Sequence, residues 1–228
     1  MLMIKAVIFD VDGTLIDSEP IHVAAWDATL QRFGHHLSEA SETLRSTMAG
    51  KKPLVIATEL IAEFGLSVPP AEFVQEKTDL FLGLYQTKVH PMPGVIDAIK
   101  RLNRSGYVLG IGTAMGKQNL LRVLHALDVT DFFAATATGD DVLNGKPHPE
   151  TYLTVAGKLG VPPGQCVVIE DSESGIASAK AAGCLCIALV TPHAIKQDTS
   201  KADKVITSFD VVDEEFIEQL ATPRFYKS

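Results

Sequence analysis

A short apolar run that ends abruptly in paired acids limits what this chain can become. In Val7-Ile8-Phe9-Asp10-Val11-Asp12-Gly13-Thr14, an apolar stretch prepared by Ile4 and Ala6 gives way to two carboxylates and a glycine. Unbroken apolar character is the pattern of a strand covered on both faces, as inside a parallel sheet. Gly13 allows the backbone to turn sharply away. Asp10 and Asp12 are two positions apart, so while the chain stays extended they lean to the same side. Carboxylates held that close repel, and at neutral pH they require a cation, a shared proton or a metal. On this segment alone the alternative is that one acid caps a helix or turn while the other faces water.

After Thr14 the character changes. Ser18 suits a helix N-cap and Pro20 a first turn. Trp26, Leu30 and Phe33 recur at helical spacing, and Gly34 ends the run. Residues 54–64 and 70–85 read as further helices, and nothing before residue 90 has the character of a buried strand. Pro91-Met92-Pro93-Gly94 is a stiff connector. Beyond it, apolar strands at 107–113, 132–137, 166–169 and 185–189, with a short last one at Val205-Ile206, alternate with helical patterns. Those helices carry Val95, Ile99 and Leu102; Leu120, Leu124 and Leu127; Tyr152, Ala156 and Leu159 after Pro149; and residues 174–182 and 214–220. The final residues, from 222, read as a loose tail.

The alternation predicts an α/β fold with a doubly wound, mostly parallel, Rossmann-like sheet. Residues 1–16 and 91–228 would form this core, and residues 17–90 a small all-helical cap domain inserted after strand 1. Ligands of such sheets collect at the carboxyl ends of the strands, where Asp10 and Asp12 sit. At the other strand ends stand Thr113, then Glu170 and Asp171, and a stiff loop, Gly145-Lys146-Pro147-His148-Pro149, approaches from the side. Thr113 and the N–H groups that follow suit a phosphate oxygen, although a hydroxyl at a helix start is also an ordinary cap. Lys146 is constrained by its prolines, against the commoner fate of a solvated lysine. A second acidic pair at the end of a buried strand is costly without a partner, and a hard divalent cation such as Mg²⁺ would resolve it.

Composition narrows the partners. A formal charge of −8 offers no basic face for a nucleic-acid backbone. No stretch has the apolar length of a membrane span, and no signal-peptide plan opens the chain. Cys166, Cys184 and Cys186 sit in apolar runs without a zinc-type spacing, which suits buried small side chains in a reducing cytoplasm. Oligomeric state is not readable from the sequence.

Taken in order, DxDGT at 10–14, Thr113, KPxP at 146–149 and EDSxxG at 170–175 resemble the four motifs of the haloacid dehalogenase superfamily, in its phosphatase and phosphomutase branch. The resemblance implies that Asp10 is a nucleophile forming an aspartyl-phosphate and that Lys146 offsets charge. It implies Mg²⁺ held by Asp10, Asp171 and the Asp12 carbonyl, with Glu170 a ligand or a hydrogen-bonding partner. Asp12 would act as acid and base, and Thr113 and Ala114 would hold phosphoryl oxygens. An acid at Asp12 argues against the dehalogenase branch.

The segment Asp17-Ser18-Glu19-Pro20-Ile21-His22 resembles the first cap helix of the β-phosphoglucomutase-like subgroup, which implies that His22 faces the substrate. Where the mutase has a lysine and an arginine flanking a glycine, this chain has Ala49 and Pro53, with Lys51 and Lys52 at shifted positions. The reading is therefore a phosphomonoester hydrolase of a small phosphorylated sugar or polyol. A phosphosugar mutase is the alternative. A phosphoacceptor regulatory protein or a silent phospho-ligand binder is a minor one: receiver domains share a phosphorylated aspartate but lack the helical insertion and the Asp12 acid.

Overall fold

Every residue of the first strand, β1 (Ala6–Phe9), is buried. In this computed structural model, which describes residues 3–48, 51, 53–84, 89–191 and 197–221, the strand lies inside a sheet. Four helices follow: α1 (Glu19–Gln31), α2 (Glu42–Thr47), α3 (Pro53–Phe64) and α4 (Pro70–Leu84). Then α5 (Val95–Arg104), β2 (Val108–Gly112), α6 (Lys117–Ala126), β3 (Phe133–Ala137), α7 (Glu150–Leu159) and β4 (Cys166–Glu170) alternate. The order ends with α8 (Glu173–Ala181), β5 (Leu185–Leu189), β6 (Lys204–Ile206) and α9 (Glu214–Ala221). The chain separates into two compact units, Met1–Asp17 with His90–Ser228, and Ser18–Val89.

In the first unit six parallel strands run in the order β3-β2-β1-β4-β5-β6. Ile8 pairs with Gly110 on one side and Val168 on the other. The strand order reverses beside β1, the position where open α/β sheets form a ligand crevice. The expected α/β class and its parallel, doubly wound sheet are what the chain adopts. Alternate residues of β1 feed two faces. Ala6 and Ile8 pack with Tyr152, Val155, Cys166, Val168, Ile176 and Ala179 of α7, β4 and α8. Phe9, on the other face, packs edge-on to Phe133 and stacks on Phe209, with ring centroids 6.0 and 6.3 Å apart. The three cysteines are buried, free thiols in the first of these clusters. The chain leaves and re-enters this unit side by side, with Met92 N–H donating to Leu15 at 2.9 Å and Asp17 N–H to His90 at 3.1 Å.

The second unit is helical. Trp26, Leu30, Leu44, Ile56, Leu60 and Phe73 share its core, and the Phe73 ring meets those of Trp26 and Phe33 at 6.0 and 5.5 Å. Two local expectations change. Ser18 stands at the N-cap of α1, but its side chain makes no capping bond; its carbonyl accepts from Ile21 and His22 instead. Ser41 is the hydroxyl that caps, accepting from Leu44 N–H at 3.3 Å, and it opens α2, a two-turn helix too short to show periodicity in the sequence. No helix among the described residues is long and apolar enough to cross a membrane.

Candidate active site

Three strand ends and one loop meet in the first unit. Asp10 is the first residue beyond β1, and its N–H still donates to Ile169 at 3.0 Å. The chain then closes a tight loop, with Leu15 N–H on Val11 at 2.8 Å and Gly13 at φ 77°. Glu170 is the last residue of β4 and Asp171 the next. Thr113 follows β2, is buried, and accepts from Met115 N–H at 3.1 Å through its hydroxyl oxygen. Lys146 enters between β3 and α7 through a cis peptide to Pro147. The Ser178 hydroxyl fixes that loop by donating to the His148 carbonyl at 2.7 Å.

Lys146 binds the parts together. Its ammonium donates to Asp10 Oδ1 at 2.5 Å, Glu170 Oε1 at 2.7 Å and the Gly112 carbonyl at 3.0 Å, which uses all three of its hydrogens. Glu170 is fully buried and accepts five bonds. Its Oε1 also takes the Tyr152 hydroxyl at 2.8 Å; its Oε2 takes Asp171 N–H, Ser172 N–H and the Ser172 hydroxyl at 2.9 to 3.0 Å. A buried carboxylate is tolerable when its oxygens are satisfied in this way.

The charges sort accordingly. Burial pushes Glu170 up, but Lys146 and the surrounding donors outweigh it and hold the carboxyl below its ordinary range. Burial raises Asp10 well above that range against the pull of Lys146, with Glu170 and Asp171 adding to it. Burial and Glu170 push Asp171 up to about 7. Lys146 goes above its ordinary value, because Asp10 and Glu170 overcome its burial. Burial, then Glu170, keeps the Tyr152 phenol protonated and therefore able to donate.

Asp10, Glu170 and Asp171 offer oxygens within 4.8 Å of one another, a spacing that can hold a metal ion. One ammonium faces three carboxylates there, and Asp10 and Asp171 are the two left short of positive charge. An oxygen-liganded divalent cation such as Mg²⁺ fits that donor set.

The site admits no bulk behind it. A Cβ on Gly175 would lie 1.6 Å from Glu170 Oε1, and one on Gly13 would lie 2.1 Å from Asp171 Oδ2. Gly175→Ala is therefore expected to displace Glu170, lowering stability by about 1–3 kcal/mol and the melting temperature by several degrees. Thermal melting checks this; an unchanged melting point would mean that α8 shifts freely.

Asp10, Lys146, Glu170 and Asp171 thus converge, with Asp12 and Thr113 just beyond the ends of β1 and β2. Ala114 is exposed, and its carbonyl faces Gly139. Tyr152 joins the site although its sequence context marks it only as an apolar-face residue. In the helical unit, Lys51 donates to Thr47 Oγ1 at 2.9 Å and to both oxygens of Glu59 at 2.7 and 2.8 Å. Lys52, Ala49 and Gly50 lie outside the described residues.

His22 meets a residue that no sequence pattern singles out. Lys77 is buried on α4, with its ammonium 2.6 Å from His22 Nδ1 and 4.6 Å from the Phe81 ring centroid. An ammonium only donates, so Nδ1 is the acceptor and the imidazole is neutral. Burial and Lys77 lower His22 from 6.5 to about 4. Protons then bind the unfolded chain first, so this group's contribution to stability falls as pH drops from about 6.5 towards 4. An NMR titration of the ring should show no protonation above pH 5; a midpoint near 6.5 would refute the Lys77 contact.

The fold is that of a doubly wound α/β enzyme with its acids and lysine at the carboxyl edge of the sheet. Residues 4–183 match the haloacid dehalogenase-like hydrolase family, and the chain belongs to it. It is 33% identical over 207 residues to Protein CbbY of Rhodobacter capsulatus, covering 88% of this chain and 91% of that one. It is 32% identical to the fructose-1-phosphate phosphatase YqaB of Escherichia coli K12, over 77% of this chain and 91% of the relative. Among solved structures, a Thermotoga maritima protein provisionally described as a beta-phosphoglucomutase superposes with a TM-score of 0.77 at 27% identity, covering 94% of this chain and 99% of its own.

Proposed function

We propose that this chain is a Mg²⁺-dependent phosphatase of a small phosphorylated sugar or polyol, working in the cytoplasm through an aspartyl-phosphate on Asp10. The observation that carries the reading is the Asp10–Lys146–Glu170 ion chain beside Asp171. A carboxylate attacks a phosphate dianion only where positive charge has been assembled first. Asp10, Asp171 and the Asp12 carbonyl would hold the Mg²⁺, which supplies that charge. Glu170, its oxygens already taken by five donors, serves better to hold Lys146 than as a ligand.

In the first half of the reaction an Asp10 carboxylate oxygen bonds to phosphorus. The ester oxygen departs with its bonding pair and takes a proton from Asp12. In the second half Asp12 removes a proton from water, whose oxygen bonds to phosphorus and frees Asp10. The Thr113 hydroxyl can donate while it accepts from Met115. With the N–H groups of Val11, Asp12 and Ala114, it would steady the phosphoryl oxygens. Residues 17–90 would act as a cap that selects the substrate, with His22 facing it. Lys51 could take part only by leaving Glu59, and Lys52 remains a candidate. The fructose-1-phosphate phosphatase relative supports a phosphorylated sugar. Ala49 and Pro53, where the mutase has cations, weigh against a mutase.

The test is phosphate release from sugar, polyol and nucleoside monophosphates, with Mg²⁺ and with EDTA. We expect release that needs Mg²⁺ and is strongest on a phosphosugar. No hydrolysis, but interconversion of glucose 1- and 6-phosphates once a bisphosphate primer is added, would make it a mutase. Silence in both assays would leave a binding or regulatory role.

A further inference from the structure

The three N–H groups of Lys146 are all engaged, on Asp10, Glu170 and Gly112. If Lys146 is to bind a phosphoryl oxygen, it must first release one of these acceptors. Releasing a buried carboxylate oxygen is costly unless another donor stays behind. Glu170 Oε1 has such a donor in the Tyr152 hydroxyl, 2.8 Å away. We propose that Tyr152 is a positioning residue for Lys146: its hydroxyl keeps Glu170 Oε1 satisfied, so that Lys146 can turn one N–H from Glu170 to an incoming phosphoryl oxygen.

The surroundings hold Tyr152 to that task. Its ring is fully buried in the cluster beneath β1 and β4, so the hydroxyl has no solvent to turn to. The Lys146 ammonium sits 4.8 Å from the ring centroid, and the aromatic face keeps that cation attracted as it changes acceptor. The end of β2 is cut back to admit the ring: a Cβ on Gly112 would come within 2.9 Å of it. Gly112 thus both accepts from Lys146 and makes room for Tyr152.

This inference rests on the phosphoryl-transfer reading of the site, and the experiment separates the two. Wild type, Tyr152→Phe, Glu170→Gln and the double variant are titrated calorimetrically with beryllofluoride, a phosphoryl mimic, in Mg²⁺. Turnover of p-nitrophenyl phosphate is measured alongside. Tyr152→Phe removes one oxygen atom and keeps the ring. We expect it to weaken beryllofluoride binding and lower kcat about tenfold, the effect of one hydrogen bond to a charged group, with a melting temperature near wild type. In the Glu170→Gln background the same change should add less than twofold, because Tyr152 acts through Glu170. Wild-type-like binding and turnover in Tyr152→Phe would overturn the inference, as would effects that simply multiply in the double variant. If wild type binds beryllofluoride but hydrolyses no ester, the hydrolase reading fails and the binding comparison still judges Tyr152. If wild type does not bind it, both fall.

Discussion

Asp10→Asn is expected to abolish phosphate release, by about 10⁴-fold or more, in a protein that still folds. The amide has nearly the shape of the carboxylate but is not a nucleophile. The expected stability follows from the direction in which Asp10 is shifted. Its folded value lies well above the ordinary 3.8, chiefly through burial. The stability linked to its protonated form is fully present below about 3.8 and is lost as pH rises through the folded value. The wild-type carboxylate therefore carries a cost at neutral pH that asparagine removes, while Lys146 keeps Glu170 as its charged partner. The variant should melt no lower than wild type at pH 7.5 in EDTA, with the gap closing towards pH 4. Paired rate and melting measurements check both halves. Residual activity within tenfold of wild type would exclude Asp10 as the nucleophile.

The second large effect is expected from Lys146→Met, which should cost both activity and the fold. Methionine fills the space of the lysine stem but leaves two buried carboxylates without their cation. Breaking a buried pair from one side typically costs about 3–5 kcal/mol, or on the order of 10 °C in a chain of this length. Glu170 lies below its ordinary 4.5, so its contribution is present above 4.5 and lost as pH falls through its folded value. Lys146 lies above its ordinary 10.5, so its contribution is present below 10.5 and lost as pH rises through its folded value. The gap between wild type and Lys146→Met should thus be widest from about pH 4.5 to 10.5 and narrow outside that window. Lys146→Arg should recover part of the stability and little of the rate, since a planar guanidinium cannot meet three acceptors arranged around one ammonium. Equal melting temperatures for wild type and Lys146→Met across that range would show that the ion chain does not stabilise this unit.

The convergence of acids on one edge of the sheet was legible because it is a local pattern repeated. Each buried strand announces itself by an apolar run, and the residue that ends the run must lie at the strand's carboxyl end. Asp10, Thr113, Glu170 and Asp171 could be placed that way before any contact was known. Tyr152 and Lys77 could not. Tyr152 reads as one more apolar residue on an inward helix face, and nothing local says that its hydroxyl reaches an acid 18 positions away. Lys77 reads as a solvated lysine, and its burial depends on the rings of Trp26 and Phe81. Lys51 shows the same limit from the other side: its position in the sequence says nothing of Glu59, eight residues on, whose carboxylate it meets at 2.7 Å.

By itself the sequence determined the α/β class, the alternation of strands and helices along the chain and the acids at the strand ends. Those features follow from periodicity and from the cost of burying charge, both of which act along a few neighbouring residues. Only the tertiary structure decided how each charge is satisfied. It set Lys146 on Asp10 across 136 positions of chain, gave Glu170 its five donors, and left Asp10 and Asp171 as the carboxylates that burial pushes up. Hydrogen-bond saturation is a property of a point in space, and the groups that share that point are brought together only by the folded sheet.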